Sequence, residues 1–171
     1  MQELRRPYER SSLVTLVVFV AGLGVGYFAR GAMGTLQQRD RHAADLAAIE
    51  KLHQKNIEVT LSQDPKGLID MWTEEGVALE PGIPPVVGKQ AIQANNEKVH
   101  TQYPGFKVLS YAPAFNAIQI ADGWAYEWGE TDAKFAMSPE SPPVSLHIKG
   151  VRVLRRQSDG SWKMALTIWN Q

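Results

Sequence analysis

Chemistry in this chain has few places to sit, and the best of them lies in W-A-Y-E-W-G-E-T, residues 124–131. Strand alternation would turn Trp124, Tyr126, Trp128 and Glu130 to one face and Glu127 to the other. Three aromatics in a row suit a packing surface of a sheet, which would aim Glu127 at an interior pocket. A desolvated carboxylate in an apolar pocket is a stronger base than one in water and can take a proton from a ligand. A strand glutamate paired with Lys or Arg, or solvated, fits the same pattern. His147 and Lys149 share one face of the next strand, and a histidine beside a carboxylate can shuttle protons at neutral pH. Glu127 and His147 are therefore the candidate catalytic pair. His53, Trp72, Lys149, Trp169 and Asn170 are the candidate pocket residues. Arg152, Arg155 and Arg156 suit a solvated strand edge.

Other chemistries are excluded more simply. The 171 residues contain no cysteine, so thiolate catalysis, disulfides and Cys-ligated metals drop out. Four histidines (His42, His53, His100 and His147) are scattered without the spacing of a metal site, and no phosphate loop, G-x-S-x-G elbow or H-E-x-x-H is present. Only cofactor-free chemistry is expected. The 18 Lys+Arg balance 18 Asp+Glu, leaving no electrostatic footprint for nucleic acid.

The elements that must hold these residues start after a long apolar run. Between Arg10 and Arg30 lie 19 residues without a charge. As a helix rising ~1.5 Å per residue they nearly match the ~30 Å hydrocarbon core of a bilayer. The run follows Arg5, Arg6 and Arg10, which is also how a secretory signal begins, but it exceeds the usual apolar core of a signal, and Arg30 interrupts the small residues where cleavage would fall. The expectation is an uncleaved anchor over 12–29 behind a tail of 1–11. Gly22 and Gly26 form a GxxxG that suits helix packing, although glycine is common in membrane helices generally. Positive charge is nearly tied across the span. A short tail before one anchor favours export of the domain that follows, to the periplasm or outside the cell.

After a linker or stalk over 30–39, Leu46, Ile49, Leu52, His53, Ile57 and Leu61 recur at helical spacing, and Asp64-Pro65 stops the helix. P-K-G-L-I-D-M-W gives a short second helix, Val77-Ala78-Leu79 a brief strand, P-G-I-P-P a loop, and residues 88–102 a third helix. Strand periodicity then holds over 107–120, 124–136, 144–156 and 161–170, with D-G turns at Asp122-Gly123 and Asp159-Gly160. Helices followed by a run of strands make an α+β domain over 40–171.

The pieces A-I-E-K-L-H (48–53), M-W-T-E-E-G-V-A-L-E-P-G (71–82), V-V-G-K-Q-A-I (86–92) and V-L-R-R-Q-S-D-G-S-W-K-M (153–164) together resemble the nuclear transport factor two-like superfamily, and within it the SnoaL-like proteins. The resemblance spans essentially all of 40–171. It implies a cone of three helices packed on a curved antiparallel sheet around a pocket, here behind one transmembrane helix, with an outer sheet face that often forms a dimer. The ketosteroid isomerases of this superfamily use a tyrosine on an early helix, and no tyrosine occurs in 43–61, so none of their catalytic residues is carried over. The anchor with its GxxxG and the lack of a compelling catalytic pair, added to this fold, lead to the expectation of a membrane-anchored module that binds a small hydrophobic ligand or docks, as a homodimer, onto a membrane complex. A cofactor-independent isomerase, cyclase or dehydratase is the alternative.

Overall fold

In the computed structural model the backbone is described from Ser11 to Gln171, and side chains from Leu36 onward, Ala117 excepted. The chain divides into two compact units, Met1–Ala44 and Asp45–Gln171. Three helices and six strands follow in the order α1 (Ser11–Ser62), α2 (Pro65–Asp70), β1 (Trp72–Leu79), β2 (Val86–Val87), α3 (Lys89–Gln102), β3 (Lys107–Ala121), β4 (Trp124–Ala136), β5 (Val144–Arg156) and β6 (Trp162–Asn170). The first helix of the domain and the helical stretch before it are thus one assigned element, the helical stalk of the two alternatives for 30–39. The expected span over 12–29, with Gly22 and Gly26, lies outside the described side chains. Among the described residues no helix is long and apolar enough to cross a membrane.

Local chemistry explains the breaks. Gln63 takes a positive φ of 54° and ends α1, and Asp64 then caps α2 by accepting a hydrogen bond from the Lys66 N–H at 3.1 Å. Pro65 stands in the first turn, where its missing N–H costs nothing. The β3–β4 hairpin closes through Asp122 and Gly123, both at positive φ (50° and 75°), the geometry that a tight hairpin turn requires.

The sheet runs β2-β1-β6-β5-β4-β3. Strands β3 to β6 pair antiparallel with their sequence neighbours, whereas β1 lies parallel to β6. The sheet is therefore mixed, not antiparallel as expected. No turn joins β1 to β6, so nothing forces that pair to run in opposite directions. β1 is also longer than the three residues expected, because a register shift between Trp72 and Val77 hides its alternation.

Bulges bend the sheet. Register shifts fall in β3 between Val108 and Ser110 and again between Phe115 and Ala117. At the second, Gly129 of β4 lies so close to Ala114 that a Cβ there would run into its carbonyl oxygen. Ile49, Leu52 and Val59 of α1, Ile92 of α3, and Ala125, Leu154, Trp162 and Met164 of the sheet form the buried core on the concave face.

Candidate functional site

Four elements of the Asp45–Gln171 unit converge beneath α1. His53 and Asn56 are three residues apart on that helix and so share a face. Glu127 on β4 and Arg152 on β5 are direct partners across the ladder, and Tyr111 and Phe115 come from β3. Glu127 is fully buried, at 0% exposure, and both its oxygens are occupied. One accepts from Arg152 Nε at 2.6 Å; the other lies 2.8 Å from His53 Nε2. A carboxylate bound to a guanidinium is ionised and can only accept, so His53 must carry its proton on Nε2.

Phe115 packs against both His53 and Arg152. His53 stacks on its ring at 4.1 Å between centroids, and the Arg152 guanidinium carbon sits 4.1 Å from the same centroid. Asn56 Oδ1 accepts from Tyr111 Oη at 3.0 Å and from Arg152 Nη1 at 3.3 Å. Arg152 Nη2 comes within 2.6 Å of the Glu127 oxygen that Nε already holds, at an angle that leaves it without a hydrogen bond among the described residues.

Burial pushes the Tyr111 phenol above its ordinary value of 10.0, partly opposed by the positive charge of Arg152. The folded state therefore favours the neutral phenol, so its contribution to stability is intact below about pH 10 and is lost as pH rises through the usual tyrosine range. Accordingly, the melting temperature of Tyr111→Phe should fall less steeply than that of the parent between about pH 9 and about pH 11. Equal slopes would show that Tyr111 ionises as freely folded as unfolded.

Next to this cluster is a cavity of about 280 Å³, lined among others by Trp72, Trp169, Asn56, Tyr111, Phe115 and Arg152. Its wall is mainly apolar, and Gly129 and Gly150, directly paired on β4 and β5, keep its floor low. Of the sequence candidates, Trp72 and Trp169 line this cavity. His53 and Glu127 are buried beside Arg152 and do not line the cavity. Glu127 thus combines the two alternatives, inward-facing and paired with arginine.

His147, Lys149 and Asn170 are exposed. His147 is 2.9 Å from Asp132 and 3.7 Å from Glu130, both on the outer face. It cannot meet Glu127, because odd-numbered residues of this part of β5 point away from the cavity while Ile148, Gly150 and Arg152 point in. The expected Glu127–His147 pair is therefore replaced by Glu127 with His53 and Arg152. Nor are the three arginines a solvated edge. Arg152 is only 11% exposed and paired with Glu127, Arg156 is 3.5 Å from Asp45, and Arg155 lies over Trp124. Among the described residues no group of three or more His, Asp or Glu is arranged to hold a metal.

No protein-family model and no curated protein matches the chain. Solved structures do. A ketosteroid isomerase-like protein from Erwinia carotovora atroseptica is 21% identical, with a TM-score of 0.63 over 73% of this chain and 94% of its own. An NTF2-like protein with a cystatin-like fold from Novosphingobium aromaticivorans is 18% identical, with a TM-score of 0.63 over 77% and 84%. ActVI-ORFA from Streptomyces coelicolor is 17% identical, with a TM-score of 0.61 over 73% and 95%. At such identities the likeness establishes architecture alone: the domain has the NTF2-like α+β fold, with helices on a curved mixed sheet.

Proposed function

We propose that this domain is a binding module for a small, largely apolar molecule, held in the cavity between α1 and the concave sheet. The observation that carries this reading is the cavity itself, an apolar space with one polar end formed by Arg152, Asn56 and Tyr111. Turnover would call for a free base facing the ligand. Glu127 instead has both oxygens engaged by Arg152 and His53, which makes it a holder of side chains. The test is equilibrium dialysis of the 171-residue chain in lipid nanodiscs against 1-aminoanthracene, with empty nanodiscs as blank. Saturable binding near one per chain should appear and should be lost in Thr131→Trp, which fills the cavity. Partition that never saturates and ignores the substitution would contradict the reading.

The same proposal places the module on a membrane through residues 12–29, as a homodimer whose contact is the outer sheet face. In support, Trp124, Tyr126 and Trp128 are 46%, 52% and 49% exposed. The ladder continues Trp128 into Val151 and Ile168, both also exposed, and Tyr126 into Val153 and Leu166. Contiguous apolar surface of this kind marks an interaction face. Light scattering in mild detergent should give two chains per particle for the parent and one for Trp128→Asp/Ile168→Asp. A variant that stays paired would exclude this face.

A further inference from the structure

We infer that the molecule held in the cavity is an apolar carboxylate whose anionic end is bound by Arg152. This rests on the binding reading above and narrows it to a chemical class. A guanidinium is planar and offers five N–H donors in fixed directions. In Arg152 the edge carrying Nε and Nη2 faces Glu127, so the opposite edge, built from Nη1 and Nη2, is turned away from that carboxylate. Of the donors on that side, Asn56 accepts one from Nη1 at 3.3 Å. Nη2 is buried and makes no hydrogen bond among the described residues. The side chain is only 11% exposed and lines the cavity. Nη2 has no exposed surface and lies against Glu127, so the donor left for a ligand is the second N–H of Nη1, which gives only one hydrogen bond, to Asn56, among the described residues.

A carboxylate is favoured over a neutral acceptor. Glu127 already pairs with the guanidinium, so what favours a carboxylate is the strength of a charge-assisted hydrogen bond and not spare charge. The Nη1 donor that remains suits one oxygen of a carboxylate in a charge-assisted hydrogen bond. Tyr111, kept as a neutral phenol by burial, and Asn56 stand on either side of the donor. Glu80, the carboxylate among the lining residues, is held by Asn95 at 3.4 Å, and it would repel an anion at its own position and so help to orient the ligand. Trp72, Met71, Ile148 and Trp169 supply the apolar wall for the rest of the molecule.

The test compares matched ligands on the 171-residue chain in nanodiscs by isothermal titration: 2-naphthoate against 2-naphthamide, and octanoate against octanamide. In each pair the carboxylate should bind roughly tenfold to a hundredfold more tightly, the range of one charge-assisted hydrogen bond. Arg152→Gln alone would leave Glu127 buried without its cation, so the informative variant is Glu127→Gln/Arg152→Gln, which removes both charges and leaves two neutral amides. In it the preference should shrink to about twofold or less. Equal binding of acid and amide by the parent would overturn this inference and leave the binding reading intact. Failure of all four molecules to bind would overturn both.

Discussion

Glu127→Ala should lower the stability of the domain by about 3–5 kcal/mol, the usual consequence of removing one partner of a buried ion pair. Arg152 would then be held over Phe115 without the carboxylate it pairs with, and His53 would lose the acceptor that its Nε2 has among the described residues. Typical domains have about 5–15 kcal/mol in total, so the loss is a large share of the whole. A urea titration should show it as a midpoint shifted down at unchanged slope. The cost belongs to the stranded cation more than to the missing carboxylate. Glu127→Ala/Arg152→Met should therefore recover much of it, because an apolar replacement for a buried pair is often neutral or better. If the double variant is no more stable than the single, the pair is not what sets the cost.

Trp162→Ala should be comparably damaging, at about 3–5 kcal/mol, for a different reason. Trp162 opens β6 and is 3% exposed among Leu52 of α1 and Met71, and its Nε1 donates to Asp45 at 3.3 Å. Removing the ring opens a cavity where the first turn of α1 in this unit meets the sheet. Trp162→Phe retains most of the apolar contact and leaves Asp45 with Arg156 at 3.5 Å, so it should cost about 1–2 kcal/mol. Thermal unfolding of the two variants beside the parent separates packing from hydrogen bonding. Equal losses would mean that the Asp45 contact, and not the ring, anchors the helix.

The elements were legible wherever periodicity was clean. The strands over 107–170 and the helix over 89–102 lie almost where alternation and helical spacing put them, because turn residues such as Asp122-Gly123 fix their ends. The aromatic stripe of β4 also pointed outward and Glu127 inward, as its pattern implied. Arg152 could have been found: Leu146, Ile148, Gly150, Arg152 and Leu154 form the apolar parity of β5, and an arginine on that parity must be buried with a partner.

Tyr111 and Phe115 were harder to read. The two bulges of β3 change the phase twice, so odd positions face inward from Tyr111 to Phe115 and even positions, Ile118 and Ile120, face inward after it. Asn56 is a polar residue on a helix face whose neighbours are apolar, a signal that means something only once Arg152 and Tyr111 are known to lie opposite. The parallel pairing of β1 with β6 is set by contacts distant in sequence, and no local pattern encodes it.

The most direct test of Arg152 as the recognition group of an apolar cavity is a crystal structure of the protein with 2-naphthoate. The account predicts the naphthalene against Trp72 and Trp169, with a carboxylate oxygen about 2.7–2.9 Å from Arg152 Nη1. A naphthoate bound in the cavity with its carboxylate turned away from Arg152, or bound only elsewhere on the chain, would contradict it.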